Sequence, residues 1–386
     1  MVYLDNGATT YPKPPSVVEA VSHAMRSLSF NPGRGAYDAA AQTAEMIFDT
    51  RKRVGAFFAC PPDGVVFTAN CTTALNFCIK GLVRRGDHVI CSSLEHNAVM
   101  RPLATLHRQG GVSVEVAELI FGDPAATVRS FERLIRPNTR MIICTHASNV
   151  LGTVLPIGEL GRICSEKGIL FVVDAAQTAG ILPIDMEQMH IDYLCVAAHK
   201  GLYAPMACGL LLCRGDSPIP LIEGGTGSNS IELTQPQELP ERLESGTLAV
   251  PLIAGASAGI AFVQKKGIEQ IYKHELSLIG RAYRGLSALS AVNLYAPAPV
   301  QGMSAPVLSF NVAGMDSGEV GALLAKNGIA VRAGLHCAPT AHKHIGTLST
   351  GTVRIVPSVF TKESDIDRFL LVVKNLSRTQ KSARNY

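Results

Sequence analysis

Two pairs of polar residues follow apolar segments in the middle of the chain, where buried strands would end. Asp174 and Gln177 stand in "FVVDAAQTAG", and His199 and Lys200 stand in "YLCVAAHKGLYAP". If the two strands are neighbours, their ends bring an acid and an amine into one crevice. Ligands of open α/β sheets bind in such a crevice, at the carboxyl ends of the strands. A carboxylate that keeps a pyridine nitrogen protonated and a lysine that forms a Schiff base are what pyridoxal phosphate (PLP) most needs from a protein. Taken singly, Asp174 could cap a turn and Lys200 could be a solvated loop residue.

A phosphate group would need its own binding site, and the segment "TANCTTALNF" offers one. It predicts a strand that runs into Thr72 and Thr73 at the N-terminus of a helix. Free N–H groups and the helix dipole favour an anion there, and threonine hydroxyls add donors. For either residue, an ordinary N-cap threonine is the alternative.

Two further polar residues follow predicted strands. His96 stands in "SSLEHNAVMRP", where an imidazole could stack on a cofactor ring and move protons near neutral pH. Asn149 stands in "THASNVLGT" and could donate a hydrogen bond to the phenolic oxygen of the ring. A structural histidine and a turn asparagine are the corresponding alternatives.

Cys337 stands in a short predicted loop, "GLHCAP", behind the β-branched run "GIAV". Most free cysteines are small buried hydrophobic residues, but a thiolate can also act as a nucleophile. His336, His342 and His344 lie close by in the sequence, so a metal site that includes Cys337 is a further alternative. It lacks the usual ligand spacing and a fourth partner.

The elements that must position these residues alternate along the chain from about residue 64 to residue 215. Short apolar strands are predicted at "GVVFTAN", "HVICSSLEH", "SVEVAEL", "MIICTHAS", "ILFVVDAAQ", "YLCVAAHK" and "CGLLLCR". Helical segments are predicted between them at "TTALNFCIKGLV", "AVMRPLATLHRQG", "ATVRSFERLI" and "IGELGRICSEKG". Such alternation indicates a mainly parallel sheet with helices on both faces.

The pattern changes in the second half of the chain. Residues 223–247 are rich in Gly, Ser, Pro and Gln, which predicts a long functional loop. A helical stretch follows from about 251 to 289, and a closing helix is predicted at 363–378. Between them we predict the strands "VLSFNV", "GIAVRAG" and "TVRIVP" and a helix near "SGEVGALLAKNG". These elements indicate a second, smaller α/β domain.

Composition narrows the class of protein. The 386 residues are 47% hydrophobic and 17% charged, as expected for a compact globular protein. The net charge of +4 is too small to predict a nucleic-acid or membrane partner. The first residues, "MVYLDNGATT", lack the features of a signal peptide, and no apolar run reaches about 18 residues, so the expected location is cytoplasmic. Ten cysteines without a C-x-x-C pair indicate reduced thiols that mostly pack in the core.

Together the motifs resemble those of the class V, fold-type I PLP enzymes, in the branch of the cysteine desulfurases and selenocysteine lyases. The similarity covers nearly the whole chain, through "YLDNGATTYPKP", "NPGRGAY", "EHNAV", "SNVLGT", "VDAAQ", "HKGLYAP", "RLESGT", "VRAGLHCAP" and "GTVRI". The resemblance implies a fold-type I PLP-transferase with a large domain, at 15–255, whose mainly parallel seven-stranded sheet is covered by helices. A smaller α/β domain, at 1–14 and 256–386, would combine the C-terminal part with the N-terminal segment.

The resemblance also implies roles for residues around the cofactor. Lys200 would bind the cofactor, Asp174 would contact its pyridine nitrogen, and His96 would stack on the ring. The site would be shared within a homodimer, because Thr247 of "ESGT" would reach in from the second subunit. The remaining implied contacts are Gln177 and Asn149 with the phenolic oxygen, and Thr72, Thr73 and His199 with the phosphate.

The implied substrate site uses two arginines. Arg354 in "GTVRI" would hold the substrate carboxylate by a bidentate pair, which suits a planar guanidinium better than an ammonium group. Arg332 and Asn149 are implied as further substrate contacts. Without the family, a surface arginine on a strand is an equally good reading of Arg354.

Cys337 occupies the nucleophile position of this family, written R-x-G-x-H-C-A and matched here by Arg332, Gly334, His336, Cys337 and Ala338. In the implied reaction Cys337 takes the sulfur of L-cysteine as a persulfide, L-alanine is released, and the sulfur passes to an acceptor, such as a protein. Lys200, Cys337 and His96 are the implied catalytic residues. His336 or Arg354 is expected to supply the positive charge that favours the thiolate.

The resemblance is also compatible with other activities of enzymes that share this fold. A selenocysteine lyase would act on selenocysteine, and an aminotransferase, epimerase or β-eliminating lyase would not use Cys337. A non-catalytic relative would bind PLP or a partner only, but it would have no physical reason to keep all four of Lys200, Asp174, His96 and Arg354. Two departures from the family bear on phosphate binding and substrate choice: Ala197, where Ser or Thr often donates to the phosphate, and Pro357, just after Arg354. The acceptor and the pathway are not indicated.

Overall fold

The computed structural model describes residues 1–32, 35–227 and 230–383, with side chains through residue 378. The motif "NPGRGAY" includes Gly33 and Arg34, and the predicted loop 223–247 includes Ser228 and Asn229, all of which lie outside the described residues. The strands found within these ranges are β1 (Val2–Tyr3), β2 (Val65–Thr68), β3 (His88–Ser92), β4 (Ser113–Ala117), β5 (Thr139–Thr145), β6 (Leu170–Asp174), β7 (Tyr193–Ala197), β8 (Gly209–Cys213), β9 (Val292–Leu294), β10 (Leu308–Val312), β11 (Ile329–Ala330), β12 (Arg332–Gly334) and β13 (Thr352–Ile355).

The helices found within the same ranges are α1 (Pro15–Ser27), α2 (Asp38–Phe58), α3 (Cys71–Leu82), α4 (Asn97–Arg108), α5 (Pro124–Glu132), α6 (Ile157–Lys167), α7 (Val250–Lys266), α8 (Ile268–Ser287), α9 (Ser317–Lys326), α10 (Pro339–His344) and α11 (Glu363–Ala383). None of the helices in this described part of the chain is long and apolar enough to cross a membrane.

Seven strands form the central sheet, in the order β2-β8-β7-β6-β5-β3-β4. β8 runs antiparallel to both of its neighbours, and the other neighbouring pairs are parallel. Successive residues of β6 face opposite layers, since Phe171 and Val173 join one apolar cluster and Val172 joins another. Helices therefore cover both faces, and near-continuous apolar strands are required. The predicted seven-stranded, mainly parallel sheet is confirmed.

A second, antiparallel sheet has the order β12-β13-β10-β9. It packs against helices of the C-terminal region through a separate apolar cluster that includes Phe310 and Phe369. The N-terminal segment joins this region, because β1 pairs in parallel with β11. The Asn6 side chain also donates a hydrogen bond to the carbonyl oxygen of Val356 at 2.9 Å. The first residues of the chain are thereby held beside β13.

The structure divides two predicted elements. The stretch "GIAVRAG" is two strands, because β11 pairs with β1 whereas β12 pairs with β13. The helical stretch 251–289 is two helices, α7 and α8, separated at Gly267, whose φ of 83° a helix cannot accommodate. The predicted domain boundary between residues 255 and 256 stays a prediction, and it falls inside α7.

Candidate active site

The carboxyl ends of β3, β5, β6 and β7 meet at one edge of the central sheet, beside the N-terminus of α3. A cavity of about 530 Å³, including its opening to solvent, lies there. The predicted site residues that line it are Thr72, His96, Asn149, Asp174, Gln177, His199 and Lys200. The structure thus brings together residues that are up to 128 positions apart in sequence, counted from Thr72 to Lys200.

Asp174 is the last residue of β6 and is buried, with 4% of its surface exposed. The backbone N–H of Ala176 donates a hydrogen bond to Asp174 Oδ1 at 2.9 Å, and the Cys71 thiol donates to the same oxygen at 3.5 Å. No described residue donates to Oδ2 of this carboxyl. A buried carboxylate with one unpartnered oxygen is available to bind a protonated ring nitrogen.

Lys200 lies three residues beyond β7, the strand that pairs with β6. Its Nζ makes no hydrogen bond with a described residue. Burial and then the nearby Arg354 guanidinium lower the pKa of Lys200 below its ordinary value, and Asp174 opposes this effect in part. More of the amine is therefore unprotonated and nucleophilic at neutral pH than for a solvated lysine.

His96 is the N-cap residue of α4, and its Nδ1 accepts a hydrogen bond from the Ala98 backbone N–H at 3.0 Å. Burial lowers the pKa of His96, although Asp174 works in the opposite direction. A neutral ring with Nδ1 accepting carries its proton on Nε2. The imidazole is thus fixed in one tautomer at the cavity wall.

The N-terminus of α3 differs from the sequence prediction. Asn70, rather than a threonine, caps the helix, and its Oδ1 accepts from the backbone N–H of Thr73 at 2.9 Å and from the Thr73 hydroxyl at 3.1 Å. Thr73 therefore points its hydroxyl at the cap and does not line the cavity, whereas Thr72 does. Asparagine is a preferred N-cap, so the signal was present in the sequence. Gly209 permits this arrangement, because a Cβ there would lie 2.4 Å from the carbonyl carbon of Asn70.

His199 is the second residue after β7 and lines the cavity. Its Nδ1 is 3.1 Å from the Thr9 hydroxyl, and its carbonyl oxygen accepts from Lys13 Nζ at 2.7 Å. Burial, together with the charges of Lys200 and Lys13, lowers the pKa of His199 to about 4. A neutral His199 can act as a hydrogen-bond donor to an anion but brings no charge of its own.

The side chains of the predicted site residues Asn149 and Gln177 form hydrogen bonds with neighbouring loops. Asn149 Nδ2 donates to the His336 carbonyl oxygen at 2.8 Å, and Gln177 Nε2 donates to the Gly7 carbonyl oxygen at 3.2 Å. Each NH₂ group has two hydrogens, so each retains one donor for a ligand. Both side chains line the cavity.

Arg354 is a buried residue of β13 with 2% of its surface exposed, so the reading of it as a surface arginine is wrong. Its guanidinium donates to Asp5 Oδ1 at 3.1 Å and to the Asn149 carbonyl oxygen at 3.0 Å. Its Nε is buried without a partner. Arg332 lies directly opposite on β12, and neither arginine lines the cavity itself.

Cys337 is exposed, while the other nine cysteines are buried. His336 and Cys337 both have left-handed backbones, with φ of 48° and 55°. Hydrogen bonds to both carbonyl groups hold this turn, from Asn149 to His336 and from the Asn97 backbone N–H to Cys337 at 2.7 Å. Such backbone strain is characteristic of functional loops.

His336 is not the source of positive charge that the sequence suggested. The ring is buried, and its Nε2 lies 3.0 Å from the Thr352 carbonyl oxygen, so this nitrogen donates. Burial, followed by the charge of Arg354, lowers the pKa of His336 to about 3. The ring is neutral near pH 7, which leaves Arg354 as the cation with an electrostatic interaction with the thiol.

Two other predictions concern residues outside the cavity. Thr247 is exposed and lines a separate cleft beside the buried ion pair of Arg51 and Glu244. His342 and His344 contact Thr347 and Glu118 respectively, rather than a shared centre with Cys337. Among the residues that the structure describes, no group of three or more His, Cys, Asp or Glu side chains could hold a metal ion.

Two residues near Asp174 were not anticipated from the sequence. Cys71 lines the cavity instead of merely packing in the core. Glu95 is fully buried, accepts from the Ser92 hydroxyl and from the Thr145 backbone N–H, and has a pKa raised by burial to about 8. No sequence signal distinguishes either of them, because each depends on contacts between separate strands.

The sequence profile of the class-V aminotransferases matches residues 2–369, and the chain belongs to this family. The family inferred from the motifs is confirmed. The chain is 34% identical to a probable cysteine desulfurase of Methanothermobacter thermautotrophicus, over 92% of this chain and 89% of that protein. It is 31% identical to one of Pyrococcus abyssi, over 100% of this chain and 96% of the relative.

Solved structures agree with this family. An apo cysteine desulfurase from Thermococcus onnurineus NA1 superimposes with a TM-score of 0.91 at 31% identity, over 98% of this chain and 95% of that one. The S-sulfonic acid form of the cysteine desulfurase CsdA from Escherichia coli gives a TM-score of 0.86 at 27% identity, over 97% and 94% of the two chains. The predicted PLP fold-type I class is confirmed.

Proposed function

We propose that this chain is a PLP-dependent cysteine desulfurase that converts L-cysteine to L-alanine and carries the sulfur as a persulfide on Cys337. The main observation behind this proposal is that Cys337 is the only exposed one of the ten cysteines. It lies in a strained turn that is held by hydrogen bonds from Asn97 and Asn149. The names of the relatives support the same activity.

The donor set fits PLP. Asp174 Oδ2 is free for a protonated ring nitrogen, and Lys200 supplies an amine with a lowered pKa for the aldehyde. Thr72 and the N-terminus of α3 offer donors for the phosphate, and His199 adds an uncharged one. With Ala197 in place of Ser or Thr, one phosphate hydrogen bond of the family is either missing or supplied by these donors. PLP, when bound, would supply an electron sink for bonds to the substrate's α-carbon.

Two arginines support an amino-acid carboxylate as the ligand. Arg332 and Arg354 are direct partners across antiparallel strands, an arrangement of like charges that is unfavourable by itself. Arg332 makes no hydrogen bond with a described residue, and Arg354 has a buried Nε without a partner. A carboxylate between the two guanidinium groups would relieve the repulsion and accept their remaining hydrogens.

The sulfur transfer balances without an added oxidant. The Cys337 thiolate attacks the sulfur of the bound cysteine, the carbon–sulfur bond breaks, and a sulfur–sulfur bond forms. The electron pair of the broken bond stays with the substrate carbon, which becomes the methyl group of alanine after protonation. His96, with Nε2 protonated and next to the cavity, is a suitable group to move one of these protons.

The proposal includes a homodimer with shared sites and a thiol-bearing sulfur acceptor, such as a protein. The segment that precedes Thr247 in sequence exposes two large apolar side chains, Ile231 at 95% and Leu233 at 103% exposure. Contiguous exposed apolar surface marks protein interfaces. Thr247 is exposed and lines the cleft beside Arg51 and Glu244, and the proposal assigns it to the partner's site. The predicted domains, 15–255 and 1–14 with 256–386, are part of this proposal.

The test is mass spectrometry of the PLP-loaded protein after a single addition of L-cysteine. We expect alanine in the supernatant and a gain of one sulfur atom on the peptide that contains Cys337. The Cys337→Ser variant should form neither, while Cys60→Ser, a buried control whose hydroxyl can still donate to the Cys213 carbonyl oxygen, should form both. Equal alanine release by Cys337→Ser would contradict the proposal. In a parallel assay with selenocysteine, alanine release by Cys337→Ser from selenocysteine but not from cysteine would favour a selenocysteine lyase.

A further inference from the structure

A second cysteine, Cys71, lies inside the cavity. It is the first residue of α3, has 7% of its surface exposed, and its Sγ is 3.5 Å from Asp174 Oδ1. Burial first, and then the Asp174 carboxylate, raise the pKa of the Cys71 thiol well above its ordinary value. The thiol is therefore protonated at neutral pH and is the donor in this contact.

The contact gives one carboxylate oxygen two donors from different parts of the fold. Cys71 belongs to the N-terminus of α3, and Ala176 belongs to the loop after β6. Together they fix the rotation of the Asp174 carboxyl group, so that Oδ2 is the oxygen left for a ligand. These two hydrogen bonds also replace hydrogen bonds to water that the carboxylate loses on burial.

We propose that Cys71 is a positioning residue that orients Asp174 toward the ring nitrogen of the cofactor. The inference rests on the proposed function, because it assumes that PLP occupies the cavity. Cys71 is adjacent in sequence to Asn70 and Thr72, at the helix end that we propose for the phosphate. This hydrogen bond thereby links the proposed phosphate site with the proposed ring-nitrogen site.

The experiment measures dissociation constants by equilibrium dialysis of the full chain, first freed of cofactor. Two probes are used, PLP and its analogue with carbon in place of the ring nitrogen. Cys71→Ala removes the donor, and Cys71→Ser keeps one on the same carbon. Cys78→Ala is the matched control, because this buried cysteine of the same helix contacts Cys195 rather than Asp174. Thermal unfolding of each variant verifies folding.

For PLP, we expect Cys71→Ala to bind about three- to tenfold more weakly than the unmodified chain, as for loss of one hydrogen bond from a weak thiol donor. Cys71→Ser should restore most of the affinity, and Cys78→Ala should match the unmodified chain. For the analogue, all four proteins should bind alike, because it has no nitrogen for Asp174 to recognise. An equal loss with both probes, or no loss with PLP, overturns the role of Cys71. Failure of the unmodified chain to bind PLP overturns the proposed function instead.

Discussion

Arg354 donates a hydrogen bond to the backbone carbonyl oxygen of Asn149 at 3.0 Å. The side chain of the same asparagine donates to the His336 carbonyl oxygen, one residue before Cys337. A single residue therefore connects the predicted carboxylate-binding arginine with the turn that presents the thiol. Movement of the guanidinium would be transmitted to the nucleophile through two hydrogen bonds.

Arg354→Lys should raise KM for L-cysteine by about 10- to 100-fold, since one hydrogen bond to a charged group contributes about 1.5–3 kcal/mol. An ammonium group cannot form the bidentate pair with a carboxylate. Steady-state kinetics of alanine release would measure the effect. Arg281→Lys is the control, because that arginine is bonded to Asp367 on the surface. An unchanged KM in Arg354→Lys would exclude this residue as the carboxylate site.

Gly7→Ala should displace the guanidinium group of Arg354. An added Cβ would lie 2.8 Å from Val356 Cγ2 and 3.1 Å from Arg354 Cζ. We expect a loss of about 1–3 kcal/mol in the free energy of unfolding, as for overpacking, and a severalfold higher KM. Gly158→Ala is the control, because nothing lies within 4 Å of its added Cβ. Equal effects of the two substitutions in urea titrations and kinetics would contradict the steric argument.

Glu244→Ala should be strongly destabilising. Glu244 and Arg51 form an ion pair at 2.5 Å with side chains only 5% and 8% exposed, and Glu244 also accepts from the Phe67 backbone N–H at 2.6 Å. Removal of the carboxylate leaves a buried charge unpaired, which costs about 3–5 kcal/mol. Urea unfolding would measure the loss. Glu166→Ala, at the exposed pair with Arg162, should cost less than about 0.5 kcal/mol.

Glu275 should make stability depend on pH. Burial raises the pKa of Glu275 to about 8 from an ordinary value of 4.5. Between these pH values the folded protein holds the proton and the unfolded chain does not, so the contribution of Glu275 to the free energy of unfolding decreases as pH rises. Glu275→Gln should gain stability over the unmodified chain across this window and level off above about pH 8.

The control for this measurement is Glu269→Gln, an exposed position on the same helix. It should show the pH profile of the unmodified chain. A Glu275→Gln profile parallel to that of the unmodified chain from pH 5 to pH 8 would contradict a protonated Glu275.

The inner strands of the central sheet were predictable because they are buried on both faces, as β3, β7 and β8 are along their whole length. Each inner strand lies within an apolar run bounded by polar or turn residues, so burial and sequence carry the same information. The positions of Asp174 and Lys200 follow from the same rule, because Asp174 ends β6 and Lys200 lies three residues beyond its parallel neighbour β7. Local pattern and global fold agree in this region.

The turn that carries Cys337 and the helix after it were less predictable from the sequence. The α10 helix has six residues, too few for a helical period, and the left-handed backbones of His336 and Cys337 have no glycine to indicate them. The neutrality of His336 depends on its burial and on the charge of Arg354, eighteen residues away. Such features arise from tertiary contacts, which residue types alone do not specify.

The short strand β1 and the residues after it have a consequence for synthesis of the chain. Val2 and Tyr3 pair with Ile329 and Ala330, Asp5 binds Arg354, and these contacts join segments more than 300 positions apart in sequence. Residues 2–5 therefore leave the ribosome long before the residues that they contact. They stay unpaired until residues 329–354 have been synthesised, so closure of this long-range contact is expected to be a late event in the folding of these segments.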